Sequence, residues 1–184
     1  MCFIFYTQIF TKRDPSQQKA ENNLTGDQVV DYMVKLVEKN PIIISIEDPA
    51  SEHDPESFAK IVKQIDTKKT QIVADDLTVT NASIIKKSVA NKESNSLLVK
   101  LNQNGSVSGT IRACHEAFVG GWSLMVSHRS GETCDDFVAD LAVGLGARSV
   151  KFGAPSRGER CTKYNRLMEI ESRDKDLKMH PQKF

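Results

Sequence analysis

Short runs of apolar, often β-branched residues alternate along this chain with longer segments in which apolar residues recur every three or four positions. The runs are IIISI at 42–46, QIVA at 71–74, SLLV at 96–99, WSLMV at 122–126 and RSVKF at 148–152. Each is short and bounded by polar residues, which predicts a buried strand, apolar on both faces as a parallel sheet requires. Between them, Thr25 opens a helical stripe formed by Val29, Val30, Met33, Leu36 and Val37. Phe58, Ile61, Val62 and Ile65 form a second stripe, and Ile84, Ile85 and Val89 a third with Asn81 as its N-cap. Further helices fit residues 106–119, 134–145 and 157–171. Five strands alternating with helices make a parallel α/β architecture. Periodicity alone leaves two forms open, a doubly wound sheet and part of a (β/α) barrel.

The ends of the chain follow neither period. MCFIFYTQIF is apolar, yet no basic residue precedes the run and no small-residue cleavage site follows it. It is also well short of the roughly 20 residues a membrane span needs. With the polar TKRDPSQQKAENN behind it, residues 1–23 read as an irregular lead-in, and the charged residues 172–184 as a frayed tail. Residues 24–171 remain as the folded domain. Lys and Arg total 25 against 24 Asp and Glu, so no net field points to nucleic acid or an anionic membrane. Cys2, Cys114, Cys134 and Cys161 are widely spaced, as expected of free thiols in a reducing compartment.

Chemistry enters at the strand ends. Ile46 is followed by Glu47 and Asp48, Ala74 by Asp75 and Asp76, and Val99 by Lys100. Val126 is followed by Ser127, His128, Arg129 and Ser130, and Val150 by Lys151. One charge at a strand end is usually a solvated loop residue. Five in matching positions, acids on the first two strands and bases on the last three, predict a shared site, because parallel strands bring their C-terminal ends to one face. Glu47 and Asp75 are hard oxygen ligands of the kind Mg²⁺ takes. Lys100 suits a general base, Arg129 a bidentate phosphate fork with Ser130 as an added donor, and Lys151 a carboxylate partner. The set describes metal-assisted proton abstraction from a small phosphorylated acid.

Over residues 24–171 the chain resembles the enolase family. The resemblance is carried by SIEDP (45–49), ADDLTVTN (74–81), LLVKLNQNGSVS (97–108), GWSLMVSHRSGET (121–133), FVADLAVGL (137–145) and VKFGAPSRGERCTKYNRLMEIE (150–171). It implies the last five strands of an enolase-type (β/α)8 barrel, an incomplete barrel, and Mg²⁺-dependent dehydration of 2-phosphoglycerate to phosphoenolpyruvate in glycolysis. It also implies a cytoplasmic homodimer with no nucleic-acid or membrane partner. Glu47 and Asp75 would be two of three metal carboxylates and Lys100 the base at C2. His128, Arg129, Ser130 and Lys151 would contact the substrate. The enolase superfamily is itself the standing example of a lysine or histidine base working beside Mg²⁺.

Departures are visible too. FTKRDPSQQKAENN does not read as a strand ending in the third metal carboxylate, and the family's general-acid glutamates match no segment here. Ala50 stands where the family usually has Phe, with Asn104 and Phe152 as further changes. An alternative reading follows from these: an inactive enolase fragment or pseudoenzyme that serves as a binding module.

Overall fold

The computed structural model of the protein describes the backbone of residues 2–5 and the whole of residues 24–179. Among the described residues six strands form one sheet: β1 (Cys2–Phe5), β2 (Ile43–Glu47), β3 (Gln71–Ala74), β4 (Ser96–Val99), β5 (Ser123–Ser127) and β6 (Ser149–Lys151). They lie in sequential order and every neighbouring pair is parallel. Helices α1 (Gly26–Lys39), α2 (Pro55–Gln64), α3 (Ala82–Ala90), α4 (Leu101–Asn104), α5 (Val107–Val119), α6 (Phe137–Gly144) and α7 (Gly158–Arg173) fill the connections. Among the described residues β1 and β6 do not pair with each other, so the barrel is incomplete.

The five strands read from hydrophobic runs lie within a residue of their expected bounds. Two expectations need correction. Cys2–Phe5 is a strand, parallel to β2 with Phe5 opposite Glu47, where an irregular lead-in was expected; residues 6–23 lie outside the described residues. The inner strand face is also not uniformly apolar. Leu97, Val99, Leu124 and Val126 point toward the helices and join one large core with Met33, Phe58, Ile61 and Ile85. The alternate positions Val73, Leu98 and Met125 form a separate buried cluster on the other face. Below that cluster the same face turns polar: Gln71 Nε2 donates to Ser96 Oγ (3.2 Å) and Ser123 Oγ (2.8 Å). Small polar residues that bond one another satisfy this floor without charge.

Helix starts follow local rules. Thr25 and Gln28 form a reciprocal capping box on α1, and Pro55 opens α2 behind Asp54. Asn81 caps α3 by accepting from the backbone N–H groups of Ser83 and Ile84, as its sequence position predicts. Asn81→Ala removes that cap, and we expect a loss of about 1 kcal/mol, read as a shift of the urea midpoint with unchanged slope. The four-residue α4 was not foreseen; it holds a single turn, too short for a periodic signal, and ends at Gly105 with φ +83.

Of the described cysteines, Cys114 is buried in α5, Cys161 is half-buried and Cys134 is exposed, all as free thiols. Burial pushes the Cys114 thiol up to about 12. A thiol reagent at mildly alkaline pH should therefore modify Cys134 rapidly and reach Cys114 only when the chain unfolds, a difference that peptide mass mapping reads directly.

Candidate active site

Two residues on, the face that carries Val73 and Leu98 reaches Asp75 and Lys100, and on β2 and β6 it reaches Glu47 and Lys151. Strand alternation thus lifts these four side chains from a buried floor to the C-terminal mouth of the sheet. There the charges are paired. Lys100 Nζ donates to Asp75 Oδ2 at 2.5 Å. Lys151 Nζ donates to both oxygens of Glu47, at 2.6 and 2.7 Å, across 104 residues of sequence. The sequence sorted acids and bases onto different strands; the fold sets each acid against a base. Burial raises the Glu47 carboxyl above the ordinary glutamate range, and the neighbouring Asp75 charge adds to the rise, while Lys151 pulls the other way.

Asp48 has a role that nothing in its local sequence marks. With φ +43 it turns back over the loop after β3, and its Oδ1 and Oδ2 accept from the backbone N–H groups of Asp75 and Asp76, both at 2.9 Å. Asp48 thereby braces this loop from the neighbouring strand. Burial pushes the Asp48 carboxyl up to about 7, against the pull of those two backbone donors. Thr80, fully buried at φ +52, accepts from the backbone N–H of Lys100 at 2.9 Å and fixes the start of α4. A β-branched residue rarely adopts this conformation, and that unlikely geometry was invisible in the sequence.

The β5–α6 loop carries the remaining candidates. His128 donates from its backbone N–H (2.9 Å) to the carbonyl of Lys151, and its ring Nδ1 lies 2.6 Å from the same oxygen. Since a carbonyl can only accept, Nδ1 carries a proton and donates it to this oxygen. The imidazole thus ties β5 to β6. Arg129 Nη1 donates to Asn102 Oδ1 at 3.2 Å across a cleft of about 600 Å³ that lies between the start of α5 and this loop. Arg129 also lies near enough to Asp76 to lower that carboxyl, against the larger raising effect of burial. Ser130 is exposed beside it. Glu47, Asp75, Lys100 and Lys151 therefore meet in two ion pairs, while Arg129 and Ser130 stand at the rim.

The donor set fits a divalent cation. Asp75 Oδ1 is buried and accepts no hydrogen bond. Oxygens of Asp48, Asp75 and Asp76 all lie within 4.8 Å of one another. Hard cations such as Mg²⁺ take one or two carboxylates and complete their shell with water or ligand oxygens.

A partial parallel (β/α) barrel with its ionisable side chains gathered at the C-terminal mouth defines a barrel enzyme scaffold. The family model described as "Enolase, C-terminal TIM barrel domain" matches residues 5–180, and the chain belongs to the enolase family. It is 49% identical to "Enolase" of Eimeria tenella over 152 residues, 83% of this chain and 34% of that protein. To "Enolase" of Methanococcus maripaludis it is 46% identical over 165 residues, 90% of this chain and 38% of that protein. "Enolase" of Mycoplasmopsis pulmonis is likewise 46% identical, over 90% of this chain and 36% of its own length. The chain spans little more than a third of the curated relatives it matches. Among the described residues no helix is long and apolar enough to cross a membrane.

Proposed function

We propose that this chain supplies the proton-abstracting and anion-binding half of a site for 2-phosphoglycerate, whose dehydration gives phosphoenolpyruvate. The observation that supports this reading most is the convergence of Glu47, Asp75, Lys100 and Lys151 at one mouth, with a buried carboxylate oxygen of Asp75 left without a donor. Lys100 Nζ, oriented by Asp75, takes the proton from C2 when it is in its amine form. Lys151 binds the substrate carboxylate as a point charge, and Arg129 with Ser130 binds the phosphate. His128 offers its Nε2 at the rim and holds the Lys151 strand in register. Mg²⁺ at Asp75, with Glu47 or the adjoining carboxylates, would neutralise the negative charge that builds on the substrate carboxylate as C2 loses its proton. A homodimer in the cytoplasm belongs to the same proposal, and sedimentation of the purified chain tests the oligomer.

The test is to follow the C2 proton of 2-phosphoglycerate by NMR in D₂O with the purified chain and Mg²⁺. Exchange of C2–H for deuterium, dependent on Mg²⁺, is the expected result, because exchange needs the base but not the acid that expels the C3 hydroxide. Binding without exchange would move the reading to the inactive binding module. That second reading draws on one observation: in this structure Lys100 and Lys151 are both engaged by carboxylates.

A further inference from the structure

Lys163 is the largest charged side chain wholly buried in the described structure, and none of the roles above uses it. It stands on α7, and its ammonium reaches back to the β5–α6 loop. Nζ donates to the carbonyls of Thr133 (3.0 Å), Asp135 (2.9 Å) and Glu159 (2.7 Å), and Glu132 Oε2 lies 3.3 Å away as counter-charge. A buried ammonium is tolerated only when its donors and charge are matched in this way. The other oxygen of the same carboxylate, Glu132 Oε1, accepts from the backbone N–H of Arg129 at 2.6 Å. A continuous chain of contacts therefore runs from the helix through Lys163 and Glu132 to the backbone of Arg129. The far side of Arg129 is fixed by Asn102, and His128 before it by the Lys151 carbonyl.

We infer that Lys163 and Glu132 are positioning residues for anion binding: they set the backbone of Arg129, and thereby where its guanidinium and the Ser130 hydroxyl meet a phosphate group. The inference rests on the reading of Arg129 and Ser130 as the phosphate pair. It assigns α7 a purpose at the site though none of its side chains need touch the ligand. Glu132 was legible in the sequence only as part of a polar turn, and Lys163 only as one charge among many on a helix.

The test titrates inorganic phosphate and 2-phosphoglycerate into the full chain by calorimetry. Glu132→Ala and Lys163→Met should each weaken binding about tenfold to a hundredfold, the scale on which small displacements of a binding group act. Glu132→Gln keeps an acceptor for the Arg129 N–H and should retain most of the affinity. The double variant Glu132→Ala/Lys163→Met should bind no more weakly than the poorer single, since both lie on one chain of contacts. C2 exchange at saturating 2-phosphoglycerate should change little, because the base is untouched. Unchanged phosphate affinity in Glu132→Ala, with affinity lost in Arg129→Ala, overturns the positioning role and leaves the anion site standing. Unchanged affinity in Arg129→Ala overturns the anion site, and this inference with it. Because Glu132 lies in a loop and is partly exposed, its variants decide the matter even if Lys163→Met does not fold.

Discussion

Lys100→Ala should reduce C2 deuterium exchange of 2-phosphoglycerate by about 10²–10⁴-fold, the usual contribution of a positioned general base. Lys100 is held from three sides. Its backbone N–H is bonded to Thr80 Oγ1, its residue caps α4, and its Nζ is bonded to Asp75. Such fixation leaves the amine one place to be and one direction in which to take a proton. Removing the side chain also strips Asp75 Oδ2 of its donor, and Oδ1 has none already. The variant should therefore gain cation affinity as it loses exchange, since two unshared carboxylate oxygens then face the mouth. Isothermal titration with Mg²⁺ beside the NMR exchange assay separates the two effects. Exchange that persists in Lys100→Ala would refute its role as base.

The Glu47–Lys151 pair should dominate the stability of the site. Lys151→Met leaves a buried glutamate without the ammonium that spans both its oxygens, and the expected cost is about 3–5 kcal/mol in urea unfolding. Adding Glu47→Leu should recover most of that loss, because a buried ion pair and an apolar pair of similar volume are often close in stability. The two single variants and the double variant form a cycle whose coupling reads the pair itself. A Lys151→Met variant within 1 kcal/mol of the parent would mean that Glu47 finds another donor or reaches water.

Much of this arrangement is legible in the amino-acid sequence. Short apolar runs bounded by polar residues gave five of the six described strands, and apolar stripes together with three further segments gave six of the seven described helices, because each must bury apolar surface. The chemistry was legible at the strand ends because parallel strands share a mouth. The missed features depend on contacts between segments distant in sequence. Nothing local marks Asp48 as the brace of a loop 27 residues further on, Thr80 as the acceptor for Lys100, or Lys163 as the anchor of Thr133 and Asp135. The pairing of Glu47 with Lys151 was equally hidden: sequence order suggested acids in one group and bases in another. Cys2–Phe5 looked irregular because four residues carry too little pattern to separate a strand from an apolar leader.

The 104-residue separation of Glu47 and Lys151 has a kinetic meaning as well. Local helices and adjacent strand pairs can form with short loop closures, whereas this contact must wait until β3, β4 and β5 have filled the gap between β2 and β6. We therefore expect the site to be completed late in folding, after the local helices and adjacent strand pairs have formed. A fluorescent or NMR reporter on Lys151 should lag behind helix formation in refolding, and a nascent chain ending before residue 151 would already hold Glu47 on a paired strand with its cationic partner still to come.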